Sequence, residues 1–437
     1  PCCGKGNFVL GIFDKFYKGL ENTIDDKVER CRVIIDECIY YSDITTLNVF
    51  ITTQLLHFHS NMYMRGDEES NIEIDYEYEY KSNVGNTLEL DIKEKWGLEG
   101  FDLVAGNPPY QSSCGNKGKG NTLWDKFVNI SLNKWLCKDG YLVFVHPQGW
   151  RQIDNKIGKL MLSKQILYLN MNDVNEGKKV FKCSTTFDYY VLQNIESFQE
   201  TIINDYKNKE YSFDLKNMRF IPNHTVLDIT KYLDYENENG IIKDRSTYGT
   251  DKKWMSKVKT EEFKYPCVYS INKKNELSLR YSNTNTKGHF WIIKFIVSNG
   301  SGCYKDIEGK YGCTEWSYYI KCNVEDMDDI EKCFQNQEFL NIIDAVKLTS
   351  NKYNYSILKY LKKDFWKEFI EEESKEESKE QQSNIPSISS LTLSKLKDIA
   401  RQFKIRDFTN KKKTDLITLL DNALNTNNEL KTYLQSL

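Results

Sequence analysis

Over roughly the first 200 residues, short apolar runs alternate with longer stretches of helical spacing, and this alternation constrains the fold more than any other feature. A glycine-rich turn, Cys2-Cys3-Gly4-Lys5-Gly6-Asn7, leads into a helix start at 8–13. A helix through 28–35 precedes a strand at 38–41 that is closed by Asp43. Residues 47–58 read as helix, and 65–86 as a polar, acidic insertion or long loop. Strands are expected at 87–90 and 101–105, a helix at 123–136, a strong strand at 141–145 and a final strand at 187–192. Strands separated by helices call for βαβ crossovers and a mainly parallel sheet, so the fold class expected is α/β. A glycine-rich turn normally follows a buried strand. None precedes Pro1, which predicts that the chain begins inside a domain, without a signal peptide.

The pattern changes after about residue 205. Short strands at 265–270, 290–298 and 316–320 surround a glycine-rich segment at 299–312, and a helical end runs from 328 to 369. This predicts an α+β domain over 206–370 after a first domain of 1–205. Residues 371–385 are acidic and almost without apolar side chains, as expected of a disordered linker. A compact helical unit follows at 386–425. The 60 basic and 63 acidic residues nearly cancel, which excludes a uniformly basic coat but leaves room for a local basic face. No apolar run approaches the roughly 18 residues of a membrane span. The twelve cysteines lack any Cys-x-x-Cys pair and read as reduced thiols, and the five histidines lack zinc spacing, so an intracellular chain without a metal is expected.

The most specific segment is Phe101-Asp102-Leu103-Val104-Ala105-Gly106-Asn107-Pro108-Pro109-Tyr110. An apolar strand delivers Asn-Pro-Pro-Tyr to its C-terminal end, where ligands sit in open α/β sheets. The two prolines stiffen the turn and remove backbone donors, leaving its carbonyls as acceptors. The Asn107 side-chain oxygen and the Pro108 carbonyl can accept two hydrogen bonds from an exocyclic NH₂, while Tyr110 stacks on the ring that bears it. This arrangement aims the nitrogen lone pair outward.

With these residues in place, the chain resembles an adenine-specific (N6) DNA methyltransferase of the Asn-Pro-Pro-Tyr type, as found in type II restriction-modification systems. That family's cofactor motif, Asp-Pro-x-Cys-Gly-x-Gly-x-Phe, matches Pro1 to Phe8 without the leading Asp. The resemblance implies a Rossmann-like sheet that binds S-adenosylmethionine, with Asn107, Pro108, Pro109 and Tyr110 catalytic. Cys3, Gly4, Gly6 and Phe8 would then approach the methionine part of the cofactor, Asp43 the ribose and Asp91 the adenine, with Asn107 near the methyl. A second aromatic for the extruded base is matched best by Phe181, with Phe187 as the alternative. His146 and Trp150 are expected to shape the site, His146 not acting as a base. Cytosine C5 methylation would need a Pro-Cys nucleophile at this turn. Pro266-Cys267 lies outside the catalytic region and is read as structural.

The second domain occupies the usual place of a target-recognition domain. Ser298-Asn299-Gly300, Tyr304, Lys305 and Lys310-Tyr311-Gly312 offer polar, basic and aromatic groups for double-stranded DNA. The last unit resembles a SAP domain, a two-helix DNA-binding module. Residues 386–437 hold nine basic and five acidic residues, and Lys411, Lys412 and Lys413 open the second helix, where that family meets phosphates. Two other functions remain open on the sequence: a non-catalytic specificity protein derived from such an enzyme, and a methyltransferase acting on glutamine amides of proteins.

Overall fold

The computed structural model describes residues 1–65, 76–111, 122–224, 229–298, 302–347, 354–370, 391–403, 405, 408 and 411–424. Helix α1 (Asn7–Gly19) starts at Gly6, whose left-handed φ of 87° turns the chain out of the loop, and buries Val9 and Phe13, four residues apart on one face. Helix α2 (Lys27–Val33), capped by the Asp26 side chain on the Glu29 N–H, runs into a π-helical turn, Ile34–Cys38. Strand β1 (Tyr40–Asp43) and the long helix α3 (Thr46–Arg65) follow.

Strand β2 is Lys81–Val84, parallel to β1. It falls inside the region expected to be a loop, and the strand expected at 87–90 is a single 3₁₀ turn, Thr87–Glu89, before helix α4 (Ile92–Trp96). Next come β3 (Phe101–Gly106), α5 (Trp124–Ile130), β4 (Leu136–His146), α6 (Lys156–Leu162), β5 (Lys164–Asn172), α7 (Val174–Phe181) and β6 (Phe187–Glu196). Two short strands, β7 (Thr201–Asn204) and β8 (Glu210–Phe213), extend the same sheet, so it crosses the boundary expected at 205.

The fold class is mixed α/β. The main sheet has the order β3-β4-β6-β5-β7-β8, and its parallel pairs are β3 with β4 and β5 with β7. β6 is antiparallel to both its neighbours, which makes the sheet more mixed than expected. Leu142, Phe144, Leu169, Tyr190 and Leu192 fill its core. The β1–β2 pair stands apart from this sheet, and the edges of β1 and β3 face each other across a cavity of about 330 Å³.

The second unit holds two small sheets. One has the order β14-β10-β11-β9, built from β9 (Met255–Ser256), β10 (Tyr265–Ile271), β11 (Leu277–Ser282) and β14 (Gly312–Cys313). The other has the order β13-β12-β15, from β12 (Lys294–Ser298), β13 (Cys303–Asp306) and β15 (Ser317–Lys321). The strand expected at 290–298 therefore starts four residues late, and residues 290–293 are loop. Helices Met327–Cys333 and Gln337–Ala345 pack on the second sheet around Phe295, Ile320, Phe339 and Trp366. The expected linker at 371–385 lies outside the described residues. In the last unit, helices Leu393–Gln402 and Lys413–Leu424 close on Leu396, Ile399, Ala400, Leu416 and Leu420. Among the described residues no helix is long and apolar enough to cross a membrane.

Candidate active site

Strand β3 ends at Gly106 and hands the chain to Asn107. Pro108 is buried, and Tyr110 is half-buried against the sheet core. The Tyr110 carbonyl accepts from the Leu123 N–H at 3.1 Å, and a Gln111–Thr122 bridge ties the two ends of the intervening loop. The turn is thus anchored at both ends. Two of its polar atoms, Asn107 Oδ1 and the Tyr110 hydroxyl, are buried without a hydrogen-bond partner. Burial pushes the Tyr110 phenol up to about 12, so it stays protonated. A buried acceptor without a partner costs about 1–3 kcal/mol unless something meets it, so Oδ1 is left free to accept a hydrogen bond.

Phe181, the last residue of α7, lies 6.3 Å from the Tyr110 ring at 78°, edge to face. Phe187 packs edge to face on Phe181 at 4.9 Å and is buried in the core. Of the two candidates, Phe181 is therefore the aromatic that borders Tyr110. A flat ring between them would need the Phe181 face to turn toward it.

His146 is fully buried at the end of β4. Its Nδ1 donates to the Pro147 carbonyl at 3.0 Å, so the neutral ring leaves Nε2 to accept from the Tyr190 hydroxyl at 3.0 Å. The ring also stacks on Trp124 at 4.5 Å. Burial pulls its pKa down to about 4, and both nitrogens are committed. It holds strands together.

Sequence reasoning missed a neighbouring buried charge pair. Asp188 Oδ2 accepts from the Trp150 indole at 2.8 Å and from Arg151 Nε at 2.8 Å. Arg151 then reaches the Gln148 side chain, the Tyr206 hydroxyl and the Ile221 and Pro222 carbonyls. The signal was present: a carboxylate inside the otherwise apolar-rich run Phe187–Leu192, and an arginine next to a buried tryptophan.

The turn at residues 3–6 folds onto the end of β1. The Cys3 N–H donates to the Ser42 carbonyl at 2.9 Å, and the Gly4 N–H to Asp43 Oδ2 at 3.0 Å. Asp43 Oδ1 takes the Thr45 N–H and the Asn48 amide. Thr52, from α3, donates to the Gly4 carbonyl, and a Cβ on Gly6 would stand 3.3 Å from the Thr52 side chain. Cys3, Gly4, Gly6 and Asp43 are thus brought together, with Phe8 exposed on the first turn of α1. Asp91 does not stand at a strand end. It caps α4 through the Lys93 and Glu94 N–H groups, and the residues that follow β2 are Gly85 and Asn86.

In the second unit, Lys305 is engaged by Asp328 and Glu331, and Tyr304 packs edge to face on Tyr311. Of the expected contacts here, Lys310 is exposed, and Asn299 and Gly300 lie outside the described residues. In the last unit, Lys413 opens the second helix, with Lys412 exposed and Lys411 half-buried before it.

Residues 37–181 match the family described as Eco57I restriction-modification methylase, so the segment from the π-helical turn to Phe181 carries that family's pattern. An uncharacterized adenine-specific methylase of Mycoplasma pneumoniae is 28% identical over 114 residues, 26% of this chain and 25% of that relative. The chain thus matches about a quarter of that relative's length. Among solved structures, the Type IIL restriction-modification enzyme MmeI in complex with DNA aligns at TM-score 0.49 and 14% identity, over 82% of this chain and 61% of that one. The M protein of the Type I restriction enzyme EcoKI aligns at TM-score 0.35 and 14% identity, over 47% and 43%.

Proposed function

We propose that this chain transfers the methyl group of S-adenosylmethionine to the N6 amine of an adenine turned out of double-stranded DNA. The observation that carries the reading is Asn107 Oδ1, a buried acceptor without a partner at the end of β3, held between a rigid proline turn and Tyr110. The Pro108 carbonyl would be the second acceptor. Together they would hold both N–H bonds of the amine and turn its lone pair away from the ring plane. Tyr110 and Phe181 would replace the stacking lost on extrusion. Attack of an amine on a sulfonium methyl depends on alignment more than on a strong base, which suits a site whose one histidine is buried and neutral. The match of residues 37–181 to a restriction-modification methylase family supports the same reading, and such an enzyme works where DNA is, inside the cell.

The residues at the first turn fit the cofactor. Gly4 and Gly6 leave the backbone bare, and the start of α1 offers N–H groups to a carboxylate. Asp43, buried at the end of β1, would add ribose hydroxyls to the donors it already accepts. When bound, S-adenosylmethionine supplies the electrophilic methyl group. The cavity between β1 and β3 adjoins this turn, with Cys3 and Phe8 in its lining. Most of its remaining wall is apolar, from α1, β1 and β3, while Ser42 and Thr87 supply hydroxyls near the end of β1. Asn86, two residues after β2, would be nearer than Asp91 to a strand-end position for the adenine.

Isothermal titration checks this assignment. Asp43→Ala is expected to weaken S-adenosylmethionine binding by about 1–3 kcal/mol, the range for a lost hydrogen bond to a charged group. Asp91→Ala is expected to leave affinity unchanged and to cost about 1 kcal/mol of stability, as loss of a helix cap does. The reverse pattern would put the nucleotide at α4. Labelled-methyl transfer to duplex DNA, set against transfer to protein, decides the substrate class.

We assign target recognition to the second unit and phosphate binding to the last. Lys411, Lys412 and Lys413 could neutralise about two or three phosphates, so removing residues 371–437 should lower the log–log salt slope of DNA binding by roughly that number. Sequence preference should persist, because phosphate contacts carry no base information. An unchanged slope and affinity would make the two-helix unit a protein-binding module.

A further inference from the structure

The second unit displays a tryptophan that its core does not use. Trp291 is 76% exposed and sits at φ 65°, a left-handed conformation that is costly for a bulky side chain. Its neighbours His289 and Gly288 are also left-handed. Backbone of this kind persists only where the surroundings dictate it. Here they do. The Trp291 N–H donates to the Gly309 carbonyl at 2.7 Å, and a Cβ on Gly309 would lie 2.5–2.7 Å from the backbone of Trp291 and Ile292. Lys294, fully buried, donates to the carbonyls of His289 (2.7 Å) and Ile292 (3.1 Å) and to Asp306 at 2.6 Å. Asp306 in turn accepts the N–H groups of Lys310 and Tyr311. The buried His289 ring links Asp244 to the Cys313 N–H.

Two loops, 288–293 and 306–311, are therefore welded together at the Trp291 backbone. A buried ion pair is a poor source of stability, because desolvation offsets its attraction, but it fixes geometry. Ile293 and Ile307, both exposed, carry the apolar surface of the same two loops, and Lys310 of the second loop is exposed as well. Residues 245–316 hold 13 basic and 7 acidic residues, a net +6 in a chain of net −3. A rigid, exposed aromatic in a strongly basic stretch suits a polyanion with flat apolar rings inside, more than it suits a protein surface.

We propose that Trp291 is a wedge that stacks on or between DNA bases held by the second unit. The inference rests on the DNA reading above. Base–aromatic stacking predicts that Trp291→Ala lowers duplex affinity about 10-fold or more, with Trp291→Phe retaining most of it. The salt slope should not change, because no phosphate contact is removed. The probe is a labelled mixed-sequence duplex titrated with the full chain, read by anisotropy and by tryptophan quenching. Trp316→Ala, which removes the other large exposed indole, serves as the control. Quenching should vanish in Trp291→Ala and persist in Trp316→Ala. If the wild-type chain binds no duplex, the DNA reading fails and the wedge with it. If the wild type binds and Trp291→Ala binds equally with equal quenching, the wedge alone is overturned. Loss of self-association in Trp291→Ala at unchanged DNA affinity would also overturn it, and would assign the patch to a second copy of the chain.

Discussion

Asn107→Ala is expected to lower methyl transfer to DNA by about 10²-fold or more while leaving S-adenosylmethionine affinity close to wild type. The magnitude follows from removing one positioned acceptor at the reacting nitrogen, by analogy with single positioned donors in other sites. The structure adds a second, independent expectation. Asn107 Oδ1 has no partner within the protein, so its removal breaks no internal hydrogen bond and relieves a desolvated acceptor. Thermal stability should therefore hold or rise slightly. A residue kept for structure behaves oppositely, losing stability and activity together. Labelled-methyl transfer measured beside a melting curve separates the two, and a wild-type rate in Asn107→Ala would remove Asn107 from the active site.

What the sequence made legible follows from how local each signal is. β3 and its Asn-Pro-Pro-Tyr turn could be read because an apolar run and two prolines act within ten residues. Phe181 could be preferred over Phe187 because the latter sits inside a strand pattern, where a phenylalanine is usually core, and it is core here. The misreadings were also local. Leu88-Glu89-Leu90 alternates like a strand, but three residues cannot distinguish a strand from a single 3₁₀ turn. The true strand, Lys-Ser-Asn-Val at 81–84, is polar and never fully buried, so it carries little hydrophobic pattern. That misreading put Asp91 after a strand, whereas it caps α4. Residues 290–293, Phe-Trp-Ile-Ile, looked like the start of a strand because composition does not reveal the left-handed φ of Trp291. Contacts between distant residues left only unpaired signals, such as a lone carboxylate in one strand pattern and a lone arginine elsewhere. Arg151 and Asp188 are 37 positions apart, and neither predicts the other.

That pair is expected to have the largest effect on stability. Asp188→Ala would leave the Arg151 guanidinium buried among neutral acceptors, with no compensating charge, and would orphan the Trp150 indole. Breaking a buried pair from one side typically costs about 3–5 kcal/mol, far more than the net worth of the pair itself. The loss should spread beyond the first unit. Arg151 bonds to the side chain of Asn223, whose own N–H and amide bond to Ala345 and Lys347 of the second unit. Asp188 also sits opposite His146 in the β4–β6 register, at the strand ends that frame the Asn107 turn. Urea unfolding of Asp188→Ala, Arg151→Leu and the double variant tests the point. Each single change should cost several kcal/mol, and the double change clearly less than their sum, because the second substitution removes the uncompensated charge that the first created. Additive losses, or a single-variant loss below about 1 kcal/mol, would mean that the guanidinium is held by its neutral partners alone. The link between the two units would then rest on the backbone contacts of Asn223.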